Sequence, residues 1–313
     1  MHTRSSGCSP SREATPVIEA RLNRPADGGA GLAALALSFN AFAWGVSWWP
    51  LRQLEALGLH ALWSTVLVYS LALATILVWR PRAVLQLART PSLWWLVVAS
   101  GTTNAAFNWA VTIGDVVRVV LLFYLMPLWA VLFARWLLGE PLSRAAAGRV
   151  ALALLGAAIV LWPEQGGWPL PRSLAEWLGV LGGASFALNN VLLRRESHRP
   201  EEARAFAMFL GGATIAGVLA LVLGANGHVP DPPPLAWPWL LAAFALGLWF
   251  LAGNLALQYG AARLPANATA VVMVSEVLFA SVSAVLLGAG VLTLPLVLGG
   301  GLIVLASLLA ARG

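Results

Sequence analysis

Residues 118–140 read RVVLLFYLMPLWAVLFARWLLGE, and residues 267–288 repeat their pattern later in the chain. Separations of nine and then twelve residues are shared by two triplets, Arg118, Pro127 and Gly139 in the first copy and Asn267, Glu276 and Gly288 in the second. Upstream of these triplets, residues 108–114 (NWAVTIG) match residues 254–260 (NLALQYG). Because several matches occur in one consistent order, they indicate a duplicated unit and a chain of two related halves.

The composition is that of a membrane protein. Of the 313 residues, 59% are hydrophobic and 10% are charged, with a mean hydropathy of +0.79, so there are too few charges to coat a soluble domain. All 19 basic residues are arginines spread between apolar segments, which favours membrane-orientation signals over a nucleic-acid site. The single cysteine, Cys8, lies in a polar tail, and the histidines lie in the tail or near loops. We therefore expect no disulfide, no metal site and no cofactor.

Ten apolar segments follow the polar tail, and each is about long enough to cross a bilayer as a helix. They cover approximately residues 32–51, 60–79, 93–112, 117–138, 146–163, 174–193, 204–223, 237–257, 266–287 and 292–311. We predict an all-α integral membrane fold of ten transmembrane helices in two inverted five-helix repeats. The predicted boundaries are a disordered cytoplasmic tail over 1–30, a first repeat over 31–165 and a second repeat over 172–312.

The placement of the arginines orients these helices. If the N-terminus is cytoplasmic, sixteen arginines fall on the cytoplasmic side, and the other side has only Arg52, Arg118 and Arg172. The excess of positive charge predicts that both termini are cytoplasmic. Since each half has five helices, an odd number, the second half enters the membrane from the opposite side. Transporters with inverted repeats bind their substrate near mid-membrane, between the halves, and open alternately to each side.

Polar side chains inside an apolar helix cost free energy unless they are paired or face a cavity. Asn104, Asn108 and Thr112 form a polar stripe on the third segment, and Asn254 and Gln258 form one at matching positions of the eighth. The matched pair of stripes favours a cavity lining. The alternative is hydrogen bonding between helices, worth about 1 kcal/mol or less for each contact.

Two further segments carry amides, and one of them also carries tryptophans. Asn40 and Trp44 share a face of the first helix with Trp48 close by, and Asn189 lies on the sixth helix. An amide beside an indole suits a ligand that has both polar and flat apolar parts. The alternative for the tryptophans is anchoring at the membrane interface.

Glu276 is the one carboxyl residue well inside a predicted span. An ionised carboxylate is costly there, so the group is expected to be protonated, paired or open to water. This position favours a role in substrate binding or proton coupling, and the alternative is a permanently neutral hydrogen-bond donor. Tyr124, on the fourth helix, is a candidate hydroxyl for the same cavity.

Two further residues mark the fourth helix. Arg118 lies three residues after Asp115 and could bind a substrate carboxylate. Snorkelling to the membrane interface, with Asp115 as its partner, is the favoured alternative. Pro127 removes a backbone hydrogen bond in the middle of the helix, which predicts a kink.

The sequence lacks the motifs of several enzyme classes. Neither a Gly-x-Ser-x-Gly nor a His-Glu-x-x-His arrangement is present, and there is no P-loop. We therefore do not expect an intramembrane enzyme or an ATP-driven pump.

Short motifs in the first half match a known pattern. Trp44-Gly45 is followed by Arg52, and Pro127 lies twelve residues before the glycine of Leu138-Gly139-Glu140. With these residues the chain resembles the drug/metabolite transporter superfamily, specifically a bacterial EamA-type protein with two five-helix repeats. The second copy departs from the pattern, because it keeps an acidic residue at Glu276 but lacks the proline and the closing glutamate.

The resemblance implies export of amino acids or related small amphipathic metabolites across the bacterial inner membrane. It also implies a cavity between helices one, three, four, six, eight and nine, and we expect alternating access around it. The candidate cavity residues are Asn40, Trp44, Trp48, Asn104, Asn108, Tyr124, Asn189, Asn254, Gln258 and Glu276.

The expected partners are a small-molecule substrate, the lipid bilayer and protons. Nucleic acid is not expected, and a homodimer is left open. Two alternatives to an amino-acid exporter remain. One is a sugar-phosphate or nucleotide-sugar carrier, and the other is a non-transporting membrane sensor or assembly protein.

Overall fold

The computed structural model describes residues 27–139, 144–162, 168, 170–261, 263 and 272–311, and this part of the chain is all-helical. Its helices are α1 (Asp27–Gly45), α2 (Trp48–Ala56), α3 (Ala61–Trp79), α4 (Arg82–Ala88), α5 (Leu93–Ile113), α6 (Val116–Phe123), α7 (Met126–Leu138), α8 (Arg144–Val160), α9 (Leu174–Arg195), α10 (Glu201–Ala225), α11 (Trp237–Ala261), α12 (Ser275–Leu286) and α13 (Leu294–Ala311). Residues 1–26 of the predicted tail, Glu140 and Asn267 entered the sequence predictions but lie outside the described residues. Residues 27–30, which were predicted to belong to the tail, form the start of α1.

The outer surface of the protein is apolar. Within the described residues, five stretches are long and apolar enough to cross a membrane, namely Gly31–Ala56, Ala61–Trp79, Val116–Leu138, Glu201–Ala225 and Trp237–Leu257. Large apolar side chains also face outward, such as Trp136 at 71% exposed and Leu286 at 78% exposed. Such a surface suits lipid better than water. The predicted all-helical membrane protein is therefore confirmed.

The short helix α4 was not predicted from the sequence. It is too short to cross a membrane, and it follows α3 at the arginine-rich end of that helix. Ala83 and Leu87 are buried in a cluster with Ala203 and Phe206 of α10. The helix thus forms because its apolar side packs onto α10, a contact that its local sequence does not show.

The helices of the two halves interleave. Helix α5 packs mainly against α9 and α10, and α11 packs mainly against α1 and α3. Helices α8 and α13 pack on each other through Gly156 and Gly299, where a methyl group on either glycine would lie 2.5 Å from the carbonyl oxygen of the other. Small residues allow such close backbone approach between helices in a membrane.

The helix that contains the opening sequence stretch is interrupted at its centre. Helix α6 ends at Phe123, Tyr124 and Leu125 form a turn, and α7 begins at Met126. Pro127 lies in the first turn of α7, at the position where the sequence predicted a kink. Proline has no N–H to donate to the carbonyl four residues earlier, so the Phe123 carbonyl loses its helical donor. We call Tyr124 and Leu125 the first interruption.

A similar interruption occurs in the second half, where the matching position has no proline. Met273 is helical, Val274 is in a turn, and α12 begins at Ser275. The Val277 N–H bonds to the Val274 carbonyl at 3.1 Å, as the Leu128 N–H bonds to the Leu125 carbonyl at 3.0 Å. Both are tight three-residue steps instead of four-residue α-helical ones. We call Val274 the second interruption.

Candidate functional site

Tyr124 connects the two interruptions. Its hydroxyl lies 3.2 Å from the Met273 carbonyl oxygen and 3.1 Å from Oε2 of Glu276. Tyr124 is 2% exposed and Glu276 is 8% exposed. The hydroxyl has one proton, so it can donate to one of these oxygens at a time. A buried carboxyl and a backbone carbonyl thus compete for one donor at the point where the two halves meet.

An aromatic cluster extends from this junction into five helices. It consists of Phe250 on α11, Trp44 on α1, Phe107 on α5, Phe123 on α6 and Phe186 on α9. The ring centroids of Trp44 and Phe250 are 4.5 Å apart, and those of Phe107 and Phe123 are 4.9 Å apart. Phe123 also lies 5.4 Å from Phe186, and Trp44 lies 6.5 Å from Phe107. With α12, which contributes Glu276, the site draws on six separate helices.

Two of the predicted amides bridge helices through their Nδ2 atoms. Asn40 donates to the Gly253 carbonyl at 2.7 Å, and Asn108 donates to Oγ1 of Thr65 at 3.0 Å. The Thr65 hydroxyl donates its own proton to the Ala61 carbonyl, so it must accept from Asn108. These partners fix the orientation of both amides. Within the described part of the chain, each Oδ1 is buried without a hydrogen-bond partner.

The other predicted amides are divided between different surroundings. Asn104 accepts a hydrogen bond from Tyr69, and this bond joins α3 to α5. Within α5, Asn104 donates to the Ser100 carbonyl at 2.8 Å. Asn189 is buried, and its Oδ1 has no partner among the described residues. Asn254 follows Gly253 on α11, whereas the Gln258 side chain lies outside the described part of the structure.

Trp48 and Arg52 lie beyond the aromatic cluster on α2. Trp48 is buried, and its Nε1 donates to Oγ of Ser283 on α12 at 2.9 Å. The Arg52 guanidinium stacks over the Trp48 ring and donates to the Val111 carbonyl at 2.9 Å and to the Gly114 carbonyl. These carbonyls lie in the last turn and at the C-cap of α5, where helical donors are lacking. The two residues therefore join α2 to α5 and α12.

Arg118 is bound at the ends of three helices. Its NH1 lies 3.2 Å from Oε1 of Glu176 on α9, and its NH2 donates to the Val160 carbonyl at the end of α8 at 2.6 Å. Asp115 instead caps α6 by accepting from the Arg118 backbone N–H at 2.8 Å. The predicted side-chain pair of Arg118 with Asp115 is therefore wrong, because Asp115 serves as the N-cap and Glu176 is the ionic partner.

Several residues of this site were not predicted from the sequence. Phe107, Phe123 and Phe250 gave no signal, because apolar side chains occur on all faces of these helices. Gly183 is a further example, since a methyl group there would lie 2.2 Å from the Phe123 carbonyl oxygen. This is the carbonyl that Pro127 leaves without its helical donor. Ser283 did leave a signal, because it lies seven residues after Glu276 and hence on the same helix face.

A cavity of about 260 Å³ lies away from the junction. It is lined by Trp79, Arg80, Pro81, Arg82 and Glu202, at the ends of α3 and α10. Among the described residues, no group of three His, Cys, Asp or Glu side chains could hold a metal ion.

Comparison with known proteins finds one family match, which lies in the first half of the chain. Residues 31–162 match the model of the EamA-like transporter family. No curated protein sequence matches the chain, whereas 14 chains of solved structures do. One of these, a crystal structure with 20% sequence identity, superposes with a TM-score of 0.55 over 89% of this chain and 96% of that chain. At this identity the likeness shows the fold alone. Residues 31–162 are thus similar to the EamA-like transporter family, part of the drug/metabolite transporter superfamily.

Proposed function

We propose that the protein is a secondary transporter that exports amino acids or related small amphipathic metabolites by alternating access. In this proposal ten transmembrane helices form two inverted repeats, over residues 31–165 and 172–312. Both termini lie in the cytoplasm of a bacterial cell, and the inner membrane holds the protein. The substrate site lies between the repeats, at the two interruptions.

The described structure supports inverted repeats in two ways. Leu125 of the first interruption and Val274 of the second are separated by the same number of residues as Pro127 and Glu276, which are the matched positions of the sequence repeat. Gly139 (φ 70°) and Gly288 (φ 68°) follow the ends of α7 and α12 in the same left-handed conformation.

Corresponding helices of the two halves also make corresponding contacts with the other half. The pair of contacts that α5 makes with α9 and α10 corresponds to the pair that α11 makes with α1 and α3. The contact between Gly156 and Gly299 is reciprocal, as expected beside a two-fold axis. Such an arrangement allows one half to rock against the other around a central site.

The observation that carries the proposal is the hydrogen bond between Tyr124 and Glu276. A buried carboxyl in a membrane helix costs free energy, so such residues are found mainly at functional sites. Here its partner comes from the other half, at the helix interruptions where the backbone departs from regular α-helical bonding. Relative motion of the halves must therefore change the surroundings of Glu276, which is what coupling to a proton or a substrate requires.

The two alternatives predict other features. A sugar-phosphate or nucleotide-sugar carrier needs cations near mid-membrane, yet in the described residues Arg52 and Arg118 contact helix ends. A sensor or assembly protein needs no path through the membrane. Cysteine reagents that reach Asn108→Cys and Asn254→Cys from both sides would contradict a sensor.

Transport by proteoliposomes tests the proposal. Uptake and counterflow of labelled amino acids would be measured with and without a pH gradient, for the wild type and Glu276→Gln. We expect counterflow by the wild type and loss of its pH-driven part in the variant. Glu202→Gln, a carboxyl change at the first turn of α10, is the matched control and should leave transport unchanged. Absence of counterflow for every amino acid would overturn the proposed substrate class.

A further inference from the structure

The cavity at the ends of α3 and α10 lies at the edge of the apolar part of the protein. The candidate span Ala61–Trp79 ends at one of its lining residues, and the candidate span Glu201–Ala225 begins one residue before another, Glu202. Tryptophan at the end of a span is typical of the boundary between the hydrocarbon core and the lipid headgroups. The cavity therefore lies at the depth of the headgroups and not at mid-membrane.

Two arginines give this cavity the groups that bind a phosphate. Arg80 and Arg82 both line it, and both are exposed. Within the described residues, neither guanidinium has an ion pair or a side-chain hydrogen bond, whereas Arg52 and Arg118 are bound at helix ends. Guanidinium groups bind phosphate oxygens through paired N–H donors. A phosphate in the cavity would meet two cations that have no competing partner in this part of the chain.

Glu202 adds a negative charge to the same cavity. Its Oε1 lies 3.5 Å from Nε2 of Gln86, which follows Arg82 by one turn of α4. A carboxylate reduces the attraction of the cavity for a simple anion, but it binds an ammonium group through charge-assisted hydrogen bonds. A ligand that joins a phosphate to a primary ammonium therefore matches both kinds of charge.

The size and surroundings of the cavity favour a lipid headgroup. Its volume is about 260 Å³, which lies below the usual range for drug-sized ligands and suits a group of about eight non-hydrogen atoms at roughly 30 Å³ each. Val78 directly precedes the lining residue Trp79 and is 78% exposed, and Leu85 follows Arg82 by three residues and is 50% exposed. Acyl chains would cover such apolar side chains, and a small soluble ligand would not.

We propose that this cavity binds the phosphoethanolamine headgroup of a membrane lipid. The phosphate contacts the guanidinium groups of Arg80 and Arg82, and the ammonium contacts the Glu202 carboxylate. The acyl chains lie along the exposed apolar side chains at the end of α3. The inference does not depend on the proposed transport function, because the cavity lies away from the junction. It gives these two arginines a part in lipid recognition besides membrane orientation.

A lipid series tests this on the purified full-length protein. Phosphatidylethanolamine, phosphatidylglycerol and phosphatidylcholine with identical acyl chains would be added together to delipidated protein, and bound lipid would be counted by native mass spectrometry. We expect phosphatidylethanolamine to bind about threefold to fivefold more than either of the others. The glycerol headgroup has no ammonium, and the choline ammonium has no N–H to donate. Equal binding of the three lipids, or a preference for either of the others, would overturn the inference.

Variants separate the two kinds of charge. Arg82→Gln removes a phosphate contact that all three lipids share, so it should weaken the binding of each by about fivefold. Arg89→Gln is the matched control, because Arg89 is an exposed arginine at the end of α4 that does not line the cavity. Glu202→Gln should keep phosphatidylglycerol binding and remove the preference for phosphatidylethanolamine. An unchanged preference in Glu202→Gln, or equal losses in Arg82→Gln and Arg89→Gln, would contradict the site.

A soluble ligand separates a lipid from a free metabolite with the same charged groups. Glycerophosphoethanolamine has the phosphate and the ammonium but no acyl chains. We expect it to displace phosphatidylethanolamine only at more than about a hundredfold excess, because it leaves the apolar side chains uncovered. Displacement at equal concentration would contradict a lipid and make a soluble phosphoester the occupant.

The same variant separates this site from the transport site. Glu202→Gln should lose the lipid preference while amino-acid counterflow stays unchanged, because the cavity and the junction are distinct. The lipid result would stand if no amino acid were transported. Counterflow by the wild type without any preference for phosphatidylethanolamine would support transport and contradict the lipid site.

Discussion

The two helix interruptions are alike in backbone and different in chemistry. At the first, Pro127 takes away a helical donor, and Gly183 packs against the carbonyl that is left. At the second there is no proline, and the Met273 carbonyl accepts from Tyr124. At the first interruption, the Phe123 carbonyl is thus covered by a closely packed neighbouring backbone. At the second, the Met273 carbonyl has a side-chain hydrogen bond from the other half.

This difference lies at two positions that the sequence pattern aligns with each other. The position of Pro127 in the first half corresponds to Glu276 in the second. A proline there removes a helical N–H donor, and a carboxyl there gives a group that can bind or release a proton. Because Tyr124 lies in the first interruption, that interruption positions the hydroxyl that contacts the Glu276 carboxyl of the other half.

The largest effect is expected where the first interruption is closed by packing. Gly183→Ala would place a methyl group 2.2 Å from the Phe123 carbonyl oxygen, and overpacking against backbone should cost about 3 kcal/mol of unfolding free energy. Thermal unfolding in detergent would show a clearly lowered Tm. Gly148→Ala is the matched control, because nothing lies within 4 Å of its methyl group. An unchanged Tm for Gly183→Ala would mean that the two backbones are not in contact.

The next effect tests how the second interruption is closed. Tyr124→Phe removes the donor to Met273 and Glu276, which should cost about 1–2 kcal/mol of stability. Tyr69→Phe is the control, because Tyr69 is also buried and donates to Asn104 in a contact between α3 and α5. Both variants should lower the Tm by a similar amount. We expect Tyr124→Phe alone to change the pH dependence of transport, and a change in both variants would argue against a special role for the junction.

A smaller effect is expected from the proline itself. The second interruption forms without a proline, so Pro127→Ala should keep the first one and change stability by less than about 1 kcal/mol. Counterflow by this variant should stay close to that of the wild type. A collapse of transport would show that the proline, and not the packing around it, maintains the interruption.

The smallest effect is expected at His60, which precedes the candidate span Ala61–Trp79 and hence lies outside it, although the sequence predicted a span from residue 60. His60 caps α3 by accepting the Leu62 N–H on its Nδ1, and burial lowers the pKa of its imidazole against the opposing effect of the Glu55 carboxylate. The unfolded chain then binds the proton more readily, so stability falls as the pH drops below about 6.5. His60→Asn keeps a cap and should reduce the difference in Tm between pH 7.5 and 5.5. If the pH dependence of Tm is unchanged in this variant, other groups cause it.

Much of the fold could be predicted from the sequence. The apolar segments predicted a helical membrane protein, and five stretches of the described residues are long and apolar enough to cross a membrane; the correspondence of the two halves around Pro127 and Glu276 stays a prediction. Helix α4 was missed because its burial depends on α10, which lies more than a hundred residues further along the chain.

The site was predictable in its polar residues and in Trp44. Tyr124 and Glu276 were visible because polar groups are rare in these helices, yet their contact depends on how the halves pack. The phenylalanines of the cluster were not visible, since they do not differ in pattern from lipid-facing residues. The partner of Arg118 was mispredicted because a nearby residue in sequence, Asp115, was preferred to Glu176 on another helix.

The most direct test of the account is a double-mutant cycle between Tyr124 and Glu276. Unfolding free energies would be measured for the wild type, Tyr124→Phe, Glu276→Gln and the double variant. If the two interruptions are joined by this hydrogen bond, the effects should be non-additive, with a coupling energy of about 1 kcal/mol. Effects that add within about 0.3 kcal/mol would contradict the account, because the two halves would then not be joined at this point.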